Sequence, residues 1–120
     1  MIENIIRDFL ESKLSVPVLM ETPKRPDAKY VVIERTGGAQ ENHIPSAIIT
    51  IQSYGESLYD AAALNEEVKS WMLDGMVGLV TLGSIASVDL NSDYNFTDTT
   101  TKHYRYQAVY DVTHYEGGTL

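Results

Sequence analysis

The stretch Thr101-Lys-His-Tyr-Arg-Tyr-Gln-Ala-Val-Tyr-Asp-Val-Thr-His-Tyr115 decides the fold. Its even positions are Lys102, Tyr104, Tyr106, Ala108, Tyr110, Val112 and His114. Its odd positions are Thr101, His103, Arg105, Gln107, Val109, Asp111, Thr113 and Tyr115. Side chains on a strand point alternately to the two faces of the sheet. One face is therefore mostly aromatic and apolar, the other mostly polar. The pattern predicts a long strand with the tyrosine face packed under helices and Arg105, Gln107 and Asp111 on a wet outer face.

Upstream of this strand, Ser84–Asn91 reads as a partner strand with Ala86, Val88 and Leu90 on one face. Ser92–Thr101 reads as a polar turn between the two. Tyr30-Val-Val-Ile-Glu-Arg-Thr36 is β-branched on both faces, as a central strand is. Ala47–Tyr54 alternates with Ala47, Ile49 and Ile51 inward and Thr50 and Gln52 outward. Between these two, Gly37–Pro45 reads as a polar connection longer than a tight hairpin needs. Val16–Met20, interrupted by Pro17, suits a short edge strand.

Two segments carry helical rather than strand periodicity. Residues 2–14 place Ile2, Ile5, Ile6, Phe9, Leu10 and Leu14 on one face, opposite Glu3, Asn4, Arg7, Asp8, Glu11 and Ser12. Burying six such side chains returns ~1.5–3 kcal/mol each, against ~1–2 kcal/mol per ordered backbone residue, so the helix needs a sheet to dock on. The second helix is predicted from Ser57, a plausible N-cap with Asp60 in the capping-box position. Its inner stripe is Leu58, Ala61, Leu64, Asn65, Val68, Trp71 and Met72. The run Ala61–Ala63 suggests close approach to the sheet, and Gly75 and Gly78 break the helix. The order is helix, three strands, helix, two strands. It predicts a single α+β domain over residues 1–120: a two-layer sandwich with a mainly antiparallel four- to five-stranded sheet and both helices on one face.

With 120 residues the chain has room for one domain, and 43% apolar residues argue against disorder. There is no cysteine, which excludes disulfide and thiolate chemistry. The opening Met1-Ile-Glu-Asn4 does not read as a signal peptide, and no apolar run approaches a bilayer span. Seventeen acidic residues against nine basic ones give a net charge of −8, which opposes ordinary phosphate binding. The one basic cluster, Lys24, Arg25 and Lys29, reads as a solvated loop. Such acidity suits a passage through which nucleic acid slides without sticking.

Little in the sequence suggests catalysis. His43, His103 and His114 lack metal-ligand spacing, and His103 and His114 fall on opposite strand faces. Glu66 and Glu67 are helix neighbours that point in different directions. Asp93 and Asp98 flank a turn, where aspartate serves backbone geometry. Gly37-Gly38 lacks the lysine and hydroxyl of a phosphate loop. The expectation is no enzyme, no cofactor and no metal. Tyr104, Tyr106 and Tyr110 suggest a nucleic-acid or ligand-binding platform as an alternative of a different class, but core or interface aromatics fit better.

Several stretches together resemble the tail-terminator or tail-completion proteins (minor-capsid type) of long-tailed bacteriophages and prophages of Gram-positive bacteria. They are Lys29-Tyr-Val-Val-Ile-Glu-Arg-Thr-Gly-Gly38, Ala47–Tyr54, Ala61-Ala-Ala-Leu-Asn65 and Tyr94-Asn-Phe-Thr-Asp-Thr99, the last continuing into Lys102–Asp111. The likeness runs over nearly the whole chain in the same order. It implies a structural protein that forms a hexameric ring capping the head-proximal end of the tail tube, monomeric in some cases until it meets the tube. Such a ring ends tube polymerisation and offers a surface for head–tail joining. The implied partners are other copies of the chain, the tail-tube protein and the head–tail connector protein. DNA passes through without specific binding, and no membrane is involved. The implied location is the virion tail, with the host cytoplasm during assembly. A head-completion or stopper protein of the same joint is the close alternative. Length and polarity suggest contacts from Arg35, Gln40, Glu41, Asn42 and His43 in one connection and Asp93, Asn95 and Asp98 in the other. Arg105 and Gln107 are expected to join them from the outer strand face.

Overall fold

The computed structural model describes residues 2–22, 29–41, 44–75, 85–98, 100–101 and 103–114. Helix α1 (Ile2–Lys13) leads to a short strand β1 (Val18–Leu19), then β2 (Tyr30–Glu41) and β3 (Ile44–Tyr54). Helix α2 (Leu58–Ser70) continues as a π-helical turn, Trp71–Gly75, before β4 (Ile85–Asn95) and β5 (Arg105–His114). The strands form one sheet in the order β1-β2-β3-β5-β4, with β1 parallel to β2 and every other pair antiparallel. This is the expected α+β arrangement, a mostly antiparallel sheet with two helices.

The core lies between helices and sheet. Ile2, Ile6, Leu10 and Leu14 from the first segment meet Leu64, Val68 and Met72 from the second over Val31, Ile33, Ile49, Ile51, Tyr110 and Val112. The alternation in β5 holds from residue 108 on, with Ala108, Tyr110, Val112 and His114 buried and their odd neighbours partly exposed. Tyr104 and Tyr106 are only half-buried. Ile5, assigned to the inner stripe of α1, is exposed, as is Leu58 at the start of α2. Of the alanine run only Ala61 is buried; Ala63 is exposed. The Ser57 hydroxyl accepts from the Asp60 backbone N–H at 3.1 Å, which caps α2 as expected.

Three sequence expectations need correction. First, Gly37–Pro45 is no open connection. β2 runs on to Glu41 and β3 starts at Ile44, with Gly37 paired to Ile48 and Gly38 to Ala47. A Cβ on Gly38 would lie 2.7 Å from the Ser46 carbonyl, so this glycine permits a close strand approach rather than a turn. Second, Ser92–Thr101 is not one turn: β4 extends to Asn95, and an isolated bridge joins Asp98 to His103. Third, β5 begins at Arg105, four residues later than the alternation suggested.

Register shifts explain much of this. β4 is irregular between Ile85 and Ser87 and again between Leu90 and Ser92. Each extra residue reverses the parity of the alternation. Ile85, Val88, Leu90 and Asp93 consequently share the helix-side face, since they pair opposite His114, Val112, Tyr110 and Ala108. β2 has a similar shift between Arg35 and Gly37.

Candidate interaction surface

The helix-free face of the sheet carries a built arrangement of side chains at one end. Tyr30 begins β2 and Tyr54 ends β3; the register sets them opposite each other, with Arg105 of β5 on the other side of Tyr54. The two tyrosine rings stack at 4.4 Å with 10° between planes. His103 lies 4.7 Å from the Tyr54 ring, and its Nε2 shares a 3.0 Å hydrogen bond with the Tyr30 hydroxyl. Burial first, then the neighbouring Tyr54, pushes the Tyr30 hydroxyl up to about 12, with Arg105 opposing. Tyr30 is therefore a neutral hydrogen-bonding group at any ordinary pH.

From Tyr54 a chain of hydrogen bonds crosses three strands. The Tyr54 hydroxyl donates to Gln52 Oε1 at 2.8 Å, and Gln52 Nε2 donates to Gln107 Oε1 at 2.8 Å. Gln107 Nε2 in turn donates to the Tyr94 hydroxyl. Beside this chain lies a hollow of about 250 Å³ between Val32, Glu34, Thr36, Thr50 and Val109. The amides and hydroxyls satisfy one another, so the face is polar yet ordered.

Arg105 closes the arrangement. One guanidinium nitrogen donates to the Tyr54 hydroxyl at 2.9 Å and Nε donates to the Phe96 carbonyl at 2.8 Å. The guanidinium sits 4.5 Å above the Phe96 ring, a cation–π distance, and Phe96 meets Tyr94 edge-on at 5.7 Å. Two further bonds pin the same segment: the Phe96 N–H donates to the Arg105 carbonyl at 2.9 Å, and the Arg105 N–H donates to the Thr97 side-chain Oγ1 at 3.2 Å. The acceptors of Arg105 among the described residues are neutral, and the ion pairs there involve Arg7, Lys29 and Lys69 instead.

The residues singled out from the sequence do not form one surface. Arg105 and Gln107 belong to the network just described. Arg35 stands opposite Ile49 on the helix side of the sheet, its Nε donating to the Gly37 carbonyl at 3.4 Å. Gln40 and Glu41 take part in strand pairing with Pro45 and Ile44, while Asn42 and His43 lie outside the described residues. Asp93 is not in a turn but under α2, where Asn65 Nδ2 and Lys69 Nζ donate to it at 2.7 and 2.6 Å. These carboxylate contacts, from Asp93 and then Glu66, push Lys69 above the usual lysine range. Asn95 Oδ1 accepts from Thr97 N–H at 3.0 Å. Asp98 serves turn geometry as expected, accepting from the Thr100 and Thr101 N–H groups, which hold its carboxyl below the usual range. Sequence reasoning missed Tyr30, Tyr54, His103 and Phe96, because only the register brings them together.

Tyr110 of the tyrosine trio is fully buried on the helix side, so Tyr104, Tyr106 and Tyr110 do not make an open base-stacking platform. Among the described residues no three His, Asp or Glu side chains converge as metal ligands, and no helix is long and apolar enough to cross a membrane. No protein-family model matches the chain, and a search of curated proteins finds no match either.

Proposed function

We propose that this chain is a structural subunit of the head–tail joint of a long-tailed phage or prophage. It assembles as a ring on the head-proximal end of the tail tube, halts tube growth and presents a surface to the head connector. The observation that carries the proposal is the helix-free face built around Arg105, Phe96, Tyr94 and Gln107. These residues come from the Tyr94–Asp111 run that carries the resemblance. Aromatic and arginine side chains held rigid before binding are the residue types that dominate protein interfaces. The hollow on this face, about 250 Å³, is smaller than the ~300–1,000 Å³ of ligand pockets, which favours docking protein over enclosing a substrate. The net charge of −8 fits a ring through which DNA passes without being held.

Native mass spectrometry of the chain mixed with the tail-tube protein of the same phage or prophage tests this reading. The expected result is an oligomer of this chain bound to the tube protein. The absence of any complex under conditions where tubes assemble would overturn it.

A further inference from the structure

We propose that copies of this chain bind one another head to tail, with the Arg105–Phe96–Tyr94 knob of one copy seated in a hollow beside α2 on the next. The proposal deepens the assembly reading and rests on it only for the biological setting.

The knob stands on the helix-free face, with Tyr94 and Phe96 41% and 42% exposed although both are large aromatics. Arg105 caps it with a positive charge that no carboxylate of the described residues neutralises in an ion pair. The hollow lies on the opposite face of the sheet, where α2, the π-helical turn and β4 meet. It measures about 360 Å³, and Leu73 and Leu90, 40% and 39% exposed, give it apolar walls. That is near the lower end of the ~300–1,000 Å³ of ligand-sized concavities, ample for an aromatic side chain. Glu66 and Asp74 stand at its edge, and Lys69 is the one cation lining it among the described residues. The Lys69 ammonium is already shared between Glu66 and Asp93, both at 2.6 Å. The hollow is thus apolar and negative where the knob is apolar and positive.

Each copy carries one knob and one hollow, on different faces. The contact is therefore heterologous and propagates to a third copy, as a closed ring or a chain of subunits requires and a two-fold dimer does not. In a chain of strongly negative net charge, the charge match at this spot offsets the repulsion between copies.

Because the chain has no cysteine, disulfide trapping reads the contact directly. Tyr94→Cys and Ser70→Cys variants are mixed at high concentration, without tube protein, under mild oxidation. The expected product is a mixed disulfide dimer, several-fold above the homodimers of either variant alone. Adding Asp74→Lys to the Ser70→Cys partner is expected to cut the yield about tenfold, the equivalent of one strong charge interaction. Arg105→Gln in the other partner should do the same, and the exposed Asp74 change guards against loss of folding as the cause. A mixed yield no higher than that of Glu56→Cys with Ser70→Cys overturns the proposal. A dominant Tyr94→Cys homodimer also overturns it, in favour of a two-fold contact. If tubes are capped normally by an Asp74→Lys, Glu66→Lys variant, this contact is wrong while the assembly reading stands.

Discussion

Arg105 shows how one side chain organises the surface. Its fork reaches the Tyr54 hydroxyl and the Phe96 carbonyl at once while its flat face rests on a ring. Lysine carries its donors on one compact nitrogen, with neither fork nor plane, so Arg105→Lys should release Phe96 and weaken association by roughly tenfold or more, read by the trapping yield. Tyr110 presents the opposite case. Its hydroxyl is buried without a hydrogen-bond partner among the described residues, and burial, with Asp93 and Glu66 nearby, pushes it well above the usual tyrosine range. Removing an unsatisfied buried group recovers its desolvation cost, so Tyr110→Phe should leave stability unchanged or raise it by up to ~1 kcal/mol in urea unfolding. A clear loss would show that the hydroxyl has a partner. Tyr30 sets an alkaline limit. Its folded value, about 12, exceeds the unfolded one, so its contribution is intact below pH ~10 and fades as pH rises through 12. Tyr30→Phe should flatten the stability profile in that window, as measured by denaturant midpoint against pH.

Among the elements, α2 depends on how it is started. The chain turns from β3 into α2 through Gly55, where an added Cβ would lie 2.5 Å from the Ala61 nitrogen. Gly55→Ala should therefore destabilise the fold, and Ser57→Ala should cost ~0.5–2 kcal/mol through loss of the cap. Thermal unfolding checks both, and a neutral Ser57→Ala would mean the Asp60 N–H finds another acceptor. The inner faces of β3 and β5 were legible from the sequence because an unbroken alternation over a core has only one sensible orientation. The ends of β2 and β4 were not legible. An inserted residue leaves composition unchanged while reversing parity, so Asp93 read as a turn aspartate when it faces α2. Gly37-Gly38 read as punctuation because glycine marks turns more often than close strand contacts. The candidate surface was half visible. Arg105 and Gln107 follow from the period of β5, whereas Tyr30, Tyr54 and His103 are far apart in sequence and meet only through register.

Among the described residues, one sheet face is covered by the helices, and the other holds a small buried cluster of Tyr30, Val32 and Tyr54 with a cationic aromatic knob beside it; the chain is acidic overall. Electron microscopy of tail-tube polymerisation, with and without this protein present from the start, measures its role most directly. Tubes grown with it should stop at shorter lengths, each with a ring of this chain at one end. Tubes that grow to the same lengths with bare ends, at a protein concentration well above that of tube ends, would contradict the assignment as a tail-capping subunit.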